Sequence, residues 1–107
     1  TYGPQSILAE CRYRLRSGSE TEFRELSAET LWPRLRANDA RMVLYGKDLL
    51  AEEDEVVELT AYRSISAWHQ LLTPTGDTEQ VSAKRQSLIA DRQTRLLMVQ
   101  TGFGEKV

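Results

Sequence analysis

The side chains able to do acid, base or nucleophilic chemistry in this 107-residue chain begin with a single histidine and a single cysteine. His69 is the one group whose ordinary pKa lies near neutrality, so a general acid or base is looked for there first. It stands about 90° round a helix from the stripe of Ile65, Trp68 and Leu72, on the border of core and solvent, where a histidine without a chemical role also sits. Tyr13 and Tyr45 offer phenols that can orient a ligand in the space between a sheet and its helices, or that serve only as core aromatics with satisfied hydroxyls. His69, Tyr13 and Tyr45 are therefore the candidate catalytic residues, and Trp68, Tyr13 and Tyr45 the candidate ligand-binding ones. Trp32 and Trp68 are large apolar walls. Glu10, Arg12 and Glu58 read as paired carboxylates for acid chemistry or as structural ion pairs, and the second reading is preferred because acid work needs an accessible cleft. Cys11 cannot form an internal disulfide, and it lies on the apolar side of a strand as a small buried hydrophobe. One His, one Cys and scattered carboxylates make no ligand cluster, so neither a metal nor another cofactor is expected.

These groups need elements to hold them, and the central one is Ser6 to Arg16. Its odd positions, Ile7, Ala9, Cys11, Tyr13 and Leu15, are apolar, while Glu10, Arg12, Arg14 and Arg16 alternate with them, as on an extended chain with two different faces. Ser19 and Glu22 have the spacing of a capping box that opens a helix to about Ala37. Phe23, Leu26, Thr30, Pro33 and Ala37 form its core stripe, and Ala28, Leu31, Trp32 and Leu35 a second apolar group nearly opposite. Pro33 predicts a bend there, and Trp32 a cover from another helix, the C-terminal tail or a second subunit. Asn38 and Asp39 stop the helix. Arg41 to Leu50 and Glu55 to Arg63 are strands joined by the acidic turn Ala51 to Asp54.

In the third strand Val57, Leu59 and Ala61 are assigned to the helix side, and Val56, Glu58, Thr60 and Tyr62 to the opposite one. Ser64 caps a short helix with Ile65, Trp68, Leu71 and Leu72 as its buried stripe, ended by Pro74. Asp77 opens a peripheral helix to about Asp91, and Thr94 to Phe103 is the last strand.

With 40% apolar and 28% charged residues, the chain has the composition of one globular domain spanning 1–107. A net charge of −2, well mixed along the chain, offers no basic field to nucleic acid. No run approaches the ~18 apolar residues of a membrane span, and TYGPQ has no charged and apolar leader pattern, so a cytoplasmic setting is expected.

The order strand, helix, strand, strand, helix, strand is the ferredoxin-like βαββαβ arrangement of the α+β class. Right-handed crossovers place both helices on one face of a four-stranded antiparallel sheet, with the first and third strands central. The other face, with Leu8, Glu10, Arg12, Val56, Glu58, Thr60, Met98 and Gln100, is then left bare. A second copy packing sheet to sheet closes it as a homodimer.

The segments ILAECRYRLRSGSETEFREL, Trp32-Pro33, ARMVLYG and DEVVELTAYRSISAW resemble the NIPSNAP family of dimeric α+β barrels, which is related to the antibiotic-biosynthesis-type monooxygenases. The resemblance covers Ile7 to Phe103. It implies a homodimer whose sheets face each other, with a pocket in each subunit between sheet and helices. It also implies chemistry on a small apolar or aromatic molecule, an oxygenation or isomerisation without a metal or flavin, with a non-catalytic binding or assembly module as the alternative. The haem-degrading relatives use an Asn, a Trp and a His in one pocket, and this first strand has no Asn.

Overall fold

Alternating side chains make Ile7–Leu15 a strand, β1, whose odd residues are buried or half-buried along its length. The computed structural model describes residues 5–47, 49–50, 54–73, 76 and 78–99. Its other strands are β2 (Arg41–Gly46), β3 (Glu55–Tyr62) and β4 (Ile89–Met98). All neighbours are antiparallel, in the order β2-β3-β1-β4, and the helices cover one face. This is the expected α+β, ferredoxin-like βαββαβ sheet with β1 and β3 in the middle. The acidic turn predicted at Ala51 to Asp54 lies mostly outside the described residues, as does the end of the last strand beyond Val99.

Register corrects the assignment of faces. Tyr13 pairs with Val56, Cys11 with Glu58 and Ala9 with Thr60, and directly paired residues share a face. Val56, Glu58, Thr60 and Tyr62 therefore look at the helices, and Val57, Leu59 and Ala61 look away. Apolar residues stand at both parities of β3, so alternation alone could not choose between them. Met98 pairs with Ile7 and so also lies on the helix side, while Gln100 lies outside the described residues. A bulge between Met42 and Leu44 brings Met42 and Tyr45 onto that same side, since one extra residue reverses the alternation.

The first helix runs in three pieces: α1 (Glu20–Leu26), a π-helical turn (Ser27–Leu31) and α2 (Trp32–Ala37). Ser19 occupies the cap position without a side-chain cap bond, and Glu22 pairs instead with Lys84 at 3.1 Å. Phe23, Ser27 and Leu35 are buried, with Leu31 half-buried between them. Residues spaced by four drift about 40° per step round an α-helix, and the extra residue of a π turn takes much of that drift back. The turn also frees the carbonyl that Pro33 would crowd, with Trp32 N–H bonding to Ser27 O. The core stripe thus differs from the one the 3.6 period predicts, and Pro33 and Ala37 are exposed. Asp39 takes a left-handed φ of 59°, and Asn38 Nδ2 donates to Arg34 O at 2.8 Å, which closes the helix as its residue types require.

Ser64 caps α3 (Ile65–Leu72), accepting from Ala67 N–H at 3.1 Å. The expected buried stripe is only half realised: Trp68 and Leu71 are half-buried, whereas Ile65 and Leu72 are 55% and 54% exposed. Helix α3 is attached at its far end by Arg34, whose Nη1 and Nη2 donate to the carbonyls of Leu71 and Thr73 at 3.2 and 3.0 Å. Helix α4 (Thr78–Ser87) stops four residues before the predicted end, because Ile89 already pairs with Leu15. Phe23 and Val56 are fully enclosed where α1 meets the sheet, with Tyr13 and Leu15 beside them.

Candidate functional site

A cavity of about 490 Å³ opens between the sheet and the helices, within the range of small-molecule sites. Its floor is the inward face of the sheet. Ala9, Cys11 and Tyr13 come from β1, Glu58, Thr60 and Tyr62 from β3, and Arg92, Thr94 and Leu96 from β4. The π turn and α2 supply Thr30, Leu31, Arg34 and Leu35 as one wall. Helix α3 supplies Trp68, Leu71 and Leu72, and α4 adds Val81, Ser82, Arg85 and Gln86.

At one end of the floor lies a buried ion pair of Arg85 Nη2 and Glu58 Oε1. Arg85 Nε donates to Ser27 Oγ at 2.8 Å, and Ser27 Oγ donates to Phe23 O at 2.8 Å. The indole Nε1 of Trp32 donates to the second carboxylate oxygen, Glu58 Oε2, at 3.3 Å. The guanidinium carbon of Arg85 also sits 4.3 Å from the Phe23 ring centroid and 5.2 Å from that of Tyr13. Both carboxylate oxygens are thus engaged, which is how a buried charge avoids its desolvation penalty. Sequence reasoning missed Arg85. Its signal was there: Val81, Arg85 and Leu88 follow one another at helical spacing, so an arginine stands where the inward stripe of α4 calls for an apolar residue.

The predicted site residues separate in space. Tyr13 and Trp68 line the cavity; Tyr45 and His69 do not. His69 is exposed on the outer side of α3, in a shallow dent with Ile65, Ser66 and Gln70. Tyr45 is on the helix side but lies behind Trp32, with ring centroids 5.6 Å apart, and its hydroxyl is buried without a hydrogen-bond partner among the described residues. Tyr62, assigned from parity to the outer sheet face, belongs to the cavity. Trp32 turns inward onto Glu58 and Tyr45 and is half-buried. The Glu10, Arg12 and Glu58 constellation does not form either. Glu10 meets Arg12 at 3.6 Å and Arg95 at 3.4 Å on the outer face, with Glu58 on the other side of the sheet. Cys11 is half-buried, its Sγ 3.6 Å from Thr94 Oγ1.

Burial pushes the Tyr13 phenol far above its ordinary pKa, and the Glu58 carboxylate adds to the shift. Burial also pushes Tyr62 up to about 12, with Cys11 and Glu58 adding to it. At neutral pH both phenols are protonated and able to donate a hydrogen bond. Among the described residues no three of His, Cys, Asp and Glu gather as a metal-ligand group, and no helix is long and apolar enough to cross a membrane.

Solved structures share this architecture. A NIPSNAP-like domain protein of Burkholderia xenovorans superposes with a TM-score of 0.73 at 19% identity, covering 96% of this chain and 91% of its own. A NIPSNAP family protein of Agrobacterium tumefaciens gives 0.74 at 19% identity, covering 97% and 93%. A candidate antibiotic biosynthesis monooxygenase of Caulobacter crescentus gives 0.75 at 17% identity, covering 92% of each chain. The chain therefore has the fold common to NIPSNAP and antibiotic-biosynthesis-monooxygenase-like proteins, as its sequence resemblance implied. No protein-family model matches the sequence, and no curated protein does.

Proposed function

We propose that this chain binds a small, largely apolar or aromatic molecule in the cavity between sheet and helices. The observation that carries the reading is the cavity itself, a space of about 490 Å³ in which the apolar Leu31, Leu35, Trp68, Leu71 and Leu96 stand among polar and charged side chains. A purely structural module would fill that space and present Trp32 outward, and here Trp32 faces in. Chemistry without a cofactor, an oxygenation or isomerisation, is the second reading. It is favoured by Tyr13 and Tyr62, protonated phenols at separate places in the cavity wall, six positions apart along the sheet, either of which is suited to hold a ligand oxygen as negative charge develops on it. Glu58 is not offered as a base, because Arg85 and Trp32 occupy both its oxygens. Tyr45 and His69, outside the wall, have no part in the proposal.

We propose, independently of the cavity, that the protein is a homodimer. The outer face presents Leu8, Leu44, Val57, Leu59 and Leu97 together, and Leu44 and Leu97 are 52% and 40% exposed. A second copy applied sheet to sheet would cover this patch.

The test of the cavity is to fill it. Leu96→Trp puts an indole into open space from a half-buried wall position, so folding should survive. Binding of 1-naphthol, followed by calorimetry, should occur once per chain in the wild type and fall at least about tenfold in the variant. Equal binding by both proteins would rule out the cavity as the site.

A further inference from the structure

The cavity is polarised from end to end, and its charges do not balance. Moving along β4, its inward residues change from Arg92 to Thr94 to Leu96. The partners opposite them on β1 change from Tyr13 to Cys11 to Ala9. One end is cationic; the other is walled by Ala9, Leu96 and the apolar side chains of α3, with Thr60, Tyr62 and the committed Arg34 as its polar groups. The lining contains three guanidiniums, of Arg34, Arg85 and Arg92, against one carboxylate, Glu58. Arg85 is neutralised by that carboxylate. Arg34 has both terminal nitrogens committed to the carbonyls of Leu71 and Thr73. Arg92 is different: among the described residues its guanidinium has one side-chain bond, a long one of 3.5 Å from Nη1 to Gln86 Oε1. It stands exposed at the polar end with donors to spare, and no carboxylate in the lining is left to answer it. A planar fork with free donors is the usual partner of a carboxylate.

We propose that the ligand is an amphipathic organic acid, with its carboxylate held by Arg92 at the polar end and its apolar body lying toward Ala9, Leu96 and Trp68. This rests on the reading of the cavity as the ligand site and narrows it to a chemical class. Anionic ligands would also gain from the uncompensated charge before contact, through faster association at low salt.

The experiment compares decanoate with 1-decanol, which share a chain and differ in the head group, by calorimetry on the full chain. Wild-type protein should bind decanoate at least about tenfold more tightly than 1-decanol, the expected scale of one charge-assisted bidentate contact. Arg92→Gln, on an exposed side chain, should remove that preference and leave 1-decanol binding unchanged, while Arg92→Lys should keep part of it. Equal affinity for acid and alcohol in the wild type would overturn the proposal and leave the cavity reading standing. A preference for the acid that survives Arg92→Gln would overturn the assignment of Arg92. Failure of both compounds to bind, together with failure of 1-naphthol, would remove the cavity reading and this inference with it.

Discussion

Arg85 and Glu58 show how one buried contact can set the character of a site. A guanidinium enclosed by Phe23, Tyr13 and Ser27 has little water to turn to, so its charge must be met by Glu58 and its Nε hydrogen by Ser27. Arg85→Met leaves the carboxylate unpaired in the interior and is expected to cost about 3–5 kcal/mol in urea unfolding. Adding Glu58→Leu should recover most of that, because two apolar groups of similar size leave no stranded charge. A single variant costing under about 1 kcal/mol, or a double variant whose losses simply add, would show that the two residues are not coupled in this way. Tyr13 and Tyr62 inherit their raised pKa values from the same enclosure, burial first and the Glu58 carboxylate among the lesser causes. The two halves of the ion pair pull these phenols in opposite directions, the Glu58 carboxylate raising their pKa values and the Arg85 guanidinium lowering them, so it is burial that keeps them protonated.

Among the elements, α3 is the least secured. It buries no residue completely, and its attachments are the Ser64 cap at one end and Arg34 at the other, with Trp68 and Leu71 resting over the cavity. Low burial and a few hydrogen bonds place such a segment at the low end of local stability. Arg34→Ala removes both bonds to the last carbonyls. Hydrogen exchange of amides 68–72 should then accelerate at least about tenfold, while global unfolding changes by about 1 kcal/mol or less. Unaltered exchange in α3 would mean that packing, not Arg34, holds it down. The π turn does the opposite work. It fixes Thr30 and Leu31 over the cavity and lets Phe23, Ser27 and Leu35 lie along one side of a helix that a regular α geometry would turn away.

At the scale of the whole molecule, the sheet divides two tasks between its faces. The inner one carries the cavity and the buried pair; the outer one carries Leu8, Leu44, Val57, Leu59 and Leu97, with Glu10 set between Arg12 and Arg95 at its side. Leu97→Glu introduces a charge on that outer patch and should convert a dimer into a monomer in sedimentation at micromolar concentration, with the fold retained by circular dichroism. A wild-type protein that sediments as a monomer would end the dimer proposal. Strand order, the two central strands and the single helix-covered face were all legible in the chain, because hydrophobic alternation and turn residues are local signals. Tyr13 and Trp68 could be picked out for the same reason, since each stands on a clean apolar stripe. The parity of β3 was not legible, with valines at both 56 and 57. Nor was the contact of Glu58 with Arg85, 27 residues further along. The sequence by itself determined the elements, their order and the amphipathic character of β1, for these follow from the spacing of neighbouring residues. Only the tertiary structure decided which face of β3 looks inward, that Trp32 turns in, and that Arg92 lines one end of a cavity, because each depends on pairing register and on contacts between residues far apart in the chain.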